Sequence, residues 1–364
     1  MTPAPAGEAR GPSDVDVHGV PEFGYDEKMA AMKAIQVSKA NSPFELVERE
    51  VPQPAANQVR VKVEACGMCH SDVFVKSGGY PGLVLPRIPG HEIAGHVDAV
   101  GDGVTAWKKG DRVGIGWHGG HCFQCNACRK GLFINCEKAV VTGVSIDGGY
   151  AEYVVVPSAA LARIPDSMDA KDAGPLLCAG ITTYNALRNS GVRAGDTVAV
   201  QGIGGLGHLA IQYAAKMGFR TIAISHGADK EQLARSLGAH EYVNTAKVAA
   251  SEGLKKLGGA DLVLATAPVA DAIASTVDGL KARGKLLIVA APFEPITVSA
   301  FSLLSGKSVA GWPSGSAMDS EETMAFSALT GVKPRIEVFK LDQAEEAYAK
   351  MMENRVRFRA VLVP

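Results

Sequence analysis

Seven cysteines and nine histidines are the residues in this chain most able to do chemistry. Four of them, Cys122, Cys125, Cys128 and Cys136, fall in the run HCFQCNACRKGLFINC that starts at His121. Disulfides, an iron–sulfur cluster or a metal ion could hold cysteines this close. An odd cysteine count without a signal peptide points to a reducing, cytoplasmic compartment, where disulfides are rare. Cysteines three apart would also close small strained rings. The spacing C-x2-C-x2-C-x7-C departs from a ferredoxin run, which closes with C-x3-C-P, whereas Glu137 follows Cys136. A tetrahedral zinc thiolate site tolerates the longer last step and fits best. With four protein ligands such a zinc is structural: it braces a loop and leaves no position for substrate.

The other cysteines suggest a second, open site. CGMCHSD holds Cys66 and Cys69, PGHE holds His91 and Glu92, and PLLCAG holds Cys178. Two thiolates and an imidazole, with a fourth position for water or substrate, make a catalytic zinc set. Spacing alone does not choose between Cys66 and Cys69.

GIGGLG, made of Gly202, Ile203, Gly204, Gly205, Leu206 and Gly207, matches G-x-G-x-x-G. The strand-like VAVQ precedes it and the helical HLAIQYAAKMG follows, the context a dinucleotide-binding turn needs. Free N–H groups and the positive dipole end of that helix would then face a pyrophosphate. At the end of the next strand an NAD site wants a carboxylate for the ribose hydroxyls. Here AISHGADK puts Ser225 at that position, with His226 and Lys230 following. A hydroxyl, an imidazole and an ammonium suit a 2′-phosphate, so NADP(H) is expected over NAD(H), with Asp229 as the acid able to reverse that preference.

The elements that must position these groups are readable in outline. Short β-like runs from Met32, separated by Gly, Asn, Asp and Pro, predict a small, partly closed barrel. PLLCAGITTYNALRNSG predicts a helix from about Pro175 to Gly191. From about 181 to 315 strands and helices alternate, predicting a doubly wound parallel sheet and an α/β protein overall. The tail after 316 reads as a helix and a strand able to return to the first domain. Residues 1–31, rich in Pro, Gly and acids, read as a disordered N-terminal extension. A net charge of −1 gives no footprint for nucleic acid or an anionic membrane, and no run of 18 apolar residues is present.

From Met32 onward the chain resembles the zinc-dependent alcohol dehydrogenases of the medium-chain dehydrogenase/reductase superfamily. CHSD, GHE-x-AG-x-V-x-x-VG, GDRV, the four-cysteine lobe, LLCAG and GIGGLG carry the likeness, in family order. GWPSG (311–315) points to the bacterial branch related to cinnamyl alcohol dehydrogenases. The resemblance implies a GroES-like catalytic domain (32–180 and 316–364), a Rossmann domain (181–315), and a homodimer or homotetramer. It implies reversible hydride transfer between a small, primary alcohol and NAD(P), with a related polyol or secondary-alcohol dehydrogenase, or a non-catalytic zinc dinucleotide-binding protein, as alternatives. Cys69, His91 and Cys178 become the catalytic zinc ligands, with Glu92 beside the metal and Asp72 fixing the His91 tautomer. Ser71 would pass the alcohol proton and His70 would lie near the cofactor phosphates. Thr182 would pack near the nicotinamide and Arg359 would reach the pyrophosphate. Cys66 is left as a core residue, and His96 and His121 as structural ones. Many relatives end a proton relay on a histidine where this chain has Phe74. Tyr80, Trp117 and Trp312 are candidate pocket walls for an aromatic or medium-chain alcohol.

Overall fold

The computed structural model describes residues 1–2 and 30–364, so the expected N-terminal extension lies almost wholly outside the described residues. Two sheets organise the rest. Strands Thr197–Gln201, Arg220–Ser225, Glu241–Asn244, Ala260–Ala265, Leu280–Ile288 and Ser308–Gly311 form one parallel sheet. Numbered one to six along the chain, they lie in the order 3-2-1-4-5-6, that of a dinucleotide-binding doubly wound sheet. Thr197–Gln201 is buried along its whole length, as a central parallel strand covered on both faces must be.

The second sheet has seven strands, drawn from both ends of the sequence. The long strand Gln58–Gly67 pairs antiparallel with Glu92–Val100, with Tyr153–Pro157 and, at its far end, with Arg359–Val363. Register shifts at Arg60/Val61 and Val63/Ala65 bend it, which lets one strand serve three neighbours. Ile336–Lys340 pairs with Arg359–Val363, so the tail joins this seven-stranded sheet, with one strand more than the sequence predicted. A buried apolar cluster including Leu177, Tyr184, Val198 and Phe358 runs between the two sheets.

One helix differs from expectation. It begins at Ala170, where Asp169 caps it by accepting from the Lys171 N–H, and Pro175 lies inside it. Proline has no N–H to continue the ladder. The next turn, Leu176–Gly180, opens into a π-helical one before Ile181–Arg188 resumes the α-helix. Cys178 sits in that widened turn, the kind of irregularity that recurs at functional sites.

Candidate active site

Cys69, His91, Glu92 and Cys178 come together although they are far apart in sequence. Each offers a ligand atom, and these atoms lie within 4.8 Å of one another. Cys69 leads into the tight turn His70–Asp72, His91 and Glu92 stand at the start of the strand Glu92–Val100, and Cys178 hangs from the π turn. The Cys69 and Cys178 Sγ atoms are 3.7 Å apart.

Second-layer hydrogen bonds aim these groups. Asp72 Oδ1 is 3.3 Å from His91 Nδ1, so that nitrogen carries the proton and donates. Asp72 Oδ2 accepts from the Cys69 N–H at 2.9 Å and from the Tyr150 hydroxyl at 2.7 Å. His91 Nε2 and Glu92 Oε2 are buried without a hydrogen-bond partner. Two unpartnered buried donor atoms beside two thiols are what a bound cation would satisfy, and this N/S donor set is zinc's.

The charges are strongly perturbed. The hydrogen bond from Cys178 holds the Cys69 thiol well below the ordinary thiol range, and raises Cys178 in return. Burial pushes Glu92 up to about 7, with the Arg359 guanidinium pulling the other way. Burial opposes charge on His91, but Asp72 and Cys69 outweigh it and raise it well above its usual value.

Cys66 is excluded from this set. Its side chain is wholly buried, and a Cβ built on Gly90 or Gly149 would come within 2.8 or 2.9 Å of its sulfur. It is a packed core thiol.

The four lobe cysteines also bring their sulfurs within 4.8 Å of one another. Backbone N–H groups are aimed at them: Cys122 and Lys138 donate to Cys136 Sγ at 3.3 Å, and Cys125 donates to Cys122 Sγ at 3.3 Å. The Cys128 N–H, above all, lowers the Cys125 thiol to about 6. Such donors favour thiolates, the form that binds a metal. His121 stacks on Phe133 at 4.1 Å and on His118 at 5.1 Å, which makes it a wall of the lobe. His96 sits on the strand surface opposite Glu64, away from either cluster.

The glycine turn has the shape of a phosphate cradle. A Cβ on Gly207 would lie 2.0 Å from the Gly202 carbonyl oxygen, so helix and strand approach as only glycine allows. Gly202 has φ +92°, and a Cβ on Gly204 would meet nothing within 4 Å. Ile203 is buried beneath the turn and Leu206 half-buried. Lys230 Nζ reaches back to the Ile203 carbonyl at 3.4 Å, while His226 and Asp229 are exposed. Arg359 joins the two sites: it is ion-paired with Glu92, and a Cβ on Gly205 would lie 2.8 Å from its Nη1.

The family model "Alcohol dehydrogenase GroES-like domain" matches residues 55–166, and "Zinc-binding dehydrogenase" matches 205–329. The chain is 48% identical over 317 residues to alcohol dehydrogenase patD of Penicillium expansum, covering 87% of this chain and 93% of that one. The chain belongs to the zinc-type medium-chain alcohol dehydrogenases. An alcohol dehydrogenase of Geobacillus stearothermophilus is 38% identical, over 91% of this chain and 99% of its own, so the likeness spans fungal and bacterial chains alike. A solved cinnamyl alcohol dehydrogenase from Sorghum bicolor superposes with a TM-score of 0.84 at 29% identity, covering 92% of this chain and 98% of that one.

In this alcohol dehydrogenase, Trp117 packs edge-on against His91 with ring centroids 4.9 Å apart. Tyr80 meets Trp117 at 6.0 Å, Phe74 meets Tyr80 at 6.2 Å, and Phe293 meets Phe74 at 6.4 Å. An aromatic row thus runs outward from the Cys69–His91–Cys178 cluster to Phe293. Trp312 is not part of this row and packs against the apolar cluster that includes Leu177, Ala179 and Tyr184. Thr182 is buried and donates to Ser314 Oγ at 3.1 Å. His70 is exposed and Ser71 half-buried in the turn after Cys69. Sequence reasoning passed over Tyr150, Phe293 and His208. Among these only His208 has a visible signal, an imidazole directly after the last glycine of the turn and within an apolar helix.

Proposed function

We propose that this protein is a zinc-dependent alcohol dehydrogenase and aldehyde reductase that moves hydride between a primary alcohol and a nicotinamide dinucleotide, with NADP(H) favoured. One observation carries the reading. Arg359 touches both Glu92 of the metal cluster and the glycine turn, so a metal-held oxygen and a dinucleotide phosphate would lie within one side chain's reach. When bound, zinc supplies Lewis acidity at the substrate oxygen and the nicotinamide supplies or accepts hydride. Cys69, Cys178 and His91 Nε2 would hold the metal, with Glu92 beside it. Asp72, itself held by Tyr150 and the Cys69 N–H, keeps the His91 proton on Nδ1.

Ser71 would take the alcohol proton or return it. Phe74 carries no proton, so the proton leaves by water or by the exposed His70. The aromatic row supports a substrate with an aromatic or medium-length apolar arm. Ser225 and Lys230, with no carboxylate at the strand end, support the 2′-phosphate preference. The cysteine lobe would carry a second, structural zinc. Residues 32–180 with 316–364 would form the catalytic domain and 181–315 the dinucleotide domain. Among the described residues no helix is long and apolar enough to cross a membrane, and all seven cysteines are free, which supports a cytoplasmic setting. The strand Ser308–Gly311 is an exposed edge, with Phe301 and Leu304 exposed nearby, which supports pairing with a second copy.

The test compares initial rates with NADPH and NADH on benzaldehyde, with and without a zinc chelator. Chelator-sensitive reduction with NADPH ahead of NADH is expected. NADH ahead would overturn the cofactor preference. Chelator-insensitive rates, or none across a panel of aldehydes, would overturn the zinc mechanism.

A further inference from the structure

His208 is the second residue of the helix Gly207–Lys216, and its side chain is wholly buried. Both ring nitrogens are committed. Nδ1 lies 3.0 Å from the Gly204 carbonyl oxygen, which can only accept, so Nδ1 carries the proton. Nε2 then accepts, and the Arg335 backbone N–H donates to it at 3.2 Å. The ring also stacks on Phe358, centroids 4.9 Å apart and planes 24° apart. Burial, with Arg359 and Arg335 adding to it, pushes the His208 pKa down to about 3, so the imidazole stays neutral.

These partners belong to the segment that delivers Arg359. The Arg335 carbonyl accepts from both the Phe358 and the Arg359 N–H, at 2.8 and 3.0 Å. One neutral ring thus ties the glycine turn to the base of the strand bearing the arginine that lies against that turn.

We infer that His208 is a positioning residue for the dinucleotide pyrophosphate, orienting the Gly204–Gly205 peptide so that the Gly205 N–H faces the ligand beside Arg359. In a trans peptide the C=O and the following N–H point in opposite directions. The Gly204 carbonyl accepts from the His208 backbone N–H at 3.1 Å as well as from the imidazole Nδ1, and holding it there turns the Gly205 N–H outward, the ring being the part of that hold that reaches on to Arg335. That N–H has no acceptor among the described residues, and Arg359 Nη1 lies over the same residue. An anion placed there would meet a backbone donor and a guanidinium together. The inference rests on the reading that this turn holds a dinucleotide.

Three proteins test it: the metal-loaded wild-type chain, His208→Phe and His208→Gln. Phenylalanine keeps a ring on Phe358 and removes both hydrogen bonds, whereas glutamine offers one donor and one acceptor. Each is titrated calorimetrically with NADPH and with adenosine 2′-monophosphate, which lacks the pyrophosphate. His208→Phe is expected to weaken NADPH about tenfold, the loss of two ordinary hydrogen bonds. Binding of the monophosphate should change less than twofold, and His208→Gln should recover most of the loss. The KM for NADPH should rise about as much as the Kd, with kcat at saturating NADPH falling less than twofold. Unchanged NADPH affinity, or equal weakening of both ligands, overturns the inference. Should the phenylalanine variant not fold, His208→Asn, which can serve Gly204 but is too short for Arg335, decides by the same comparison. A wild-type chain that binds neither NADPH nor NADH overturns the dinucleotide reading itself.

Discussion

The Arg359 guanidinium is paired with the Glu92 carboxylate beside Cys69, His91 and Cys178, and neither is more than 5% exposed. Each needs the other, because an unpaired buried charge is far more costly than a paired one. Arg359→Met should therefore cost about 3–5 kcal/mol of stability and weaken dinucleotide binding. Adding Glu92→Gln should return most of the stability, by relieving the lone carboxylate, and none of the affinity. Urea denaturation and a dinucleotide titration on the single and double variants separate the two effects. Equal recovery of both would mean that Arg359 serves only the ion pair.

Cys69→Ser should leave the dinucleotide site intact and remove turnover. A loss of about three orders of magnitude or more corresponds to the several kcal/mol a Lewis acid contributes. Zinc content should fall by one ion per chain, the lobe ion remaining. A serine variant with near-normal rates would place the chemistry elsewhere.

Ser225→Asp should reverse the cofactor preference. A carboxylate at that strand end repels a 2′-phosphate and accepts from ribose hydroxyls, so kcat/KM for NADPH should drop about tenfold or more while NADH holds or improves. Lys230→Ala should lower NADPH alone, since its ammonium stands over the turn at Ile203. A parallel loss for both cofactors would reassign Lys230 to bracing the turn.

Acid should destabilise the fold through His208. Its ordinary pKa of 6.5 falls to about 3 in the folded chain because of burial. Below about pH 6.5 the unfolded chain takes up a proton that the folded chain refuses, so stability falls as pH falls towards 3. At pH 5 the loss from this one group is about 2 kcal/mol. Denaturation at pH 7 and pH 5 should show a difference smaller by about that amount in His208→Gln. An unchanged difference would mean that the ring is protonated in place.

Much of this site was legible because its chemistry is written in residue types. Four clustered cysteines and a glycine turn between a strand and a helix admit few readings. The choice between Cys66 and Cys69 was not legible from spacing, since only the packing of Gly90 and Gly149 against the Cys66 sulfur removes it from the set. The helix carrying Cys178 was read as starting at Pro175, a residue that commonly opens helices; the true cap is Asp169, and the π turn absorbs the proline. Tyr150, His208 and Phe293 escaped for a shared reason. Each acts through a partner far along the chain, Asp72, Arg335 and Phe74 respectively, and no local period marks such a pairing.

The strand Arg359–Val363 lies between Ile336–Lys340 and the far end of Gln58–Gly67, and its Arg359 reaches Glu92. This gives the two halves of the molecule different birthdays. All six strands of the parallel sheet lie between 197 and 311, so the chain for that sheet is complete before the seven-stranded sheet receives its last strand. The half that bears Cys69, His91 and Cys178 starts earlier in synthesis but must wait with an open seam beside Cys66 and Gly67, and with Glu92 lacking its counter-charge. The part of the chain made first is therefore the part finished last, because its sheet gains the strand beside Cys66 and Gly67 only when the last residues have been made.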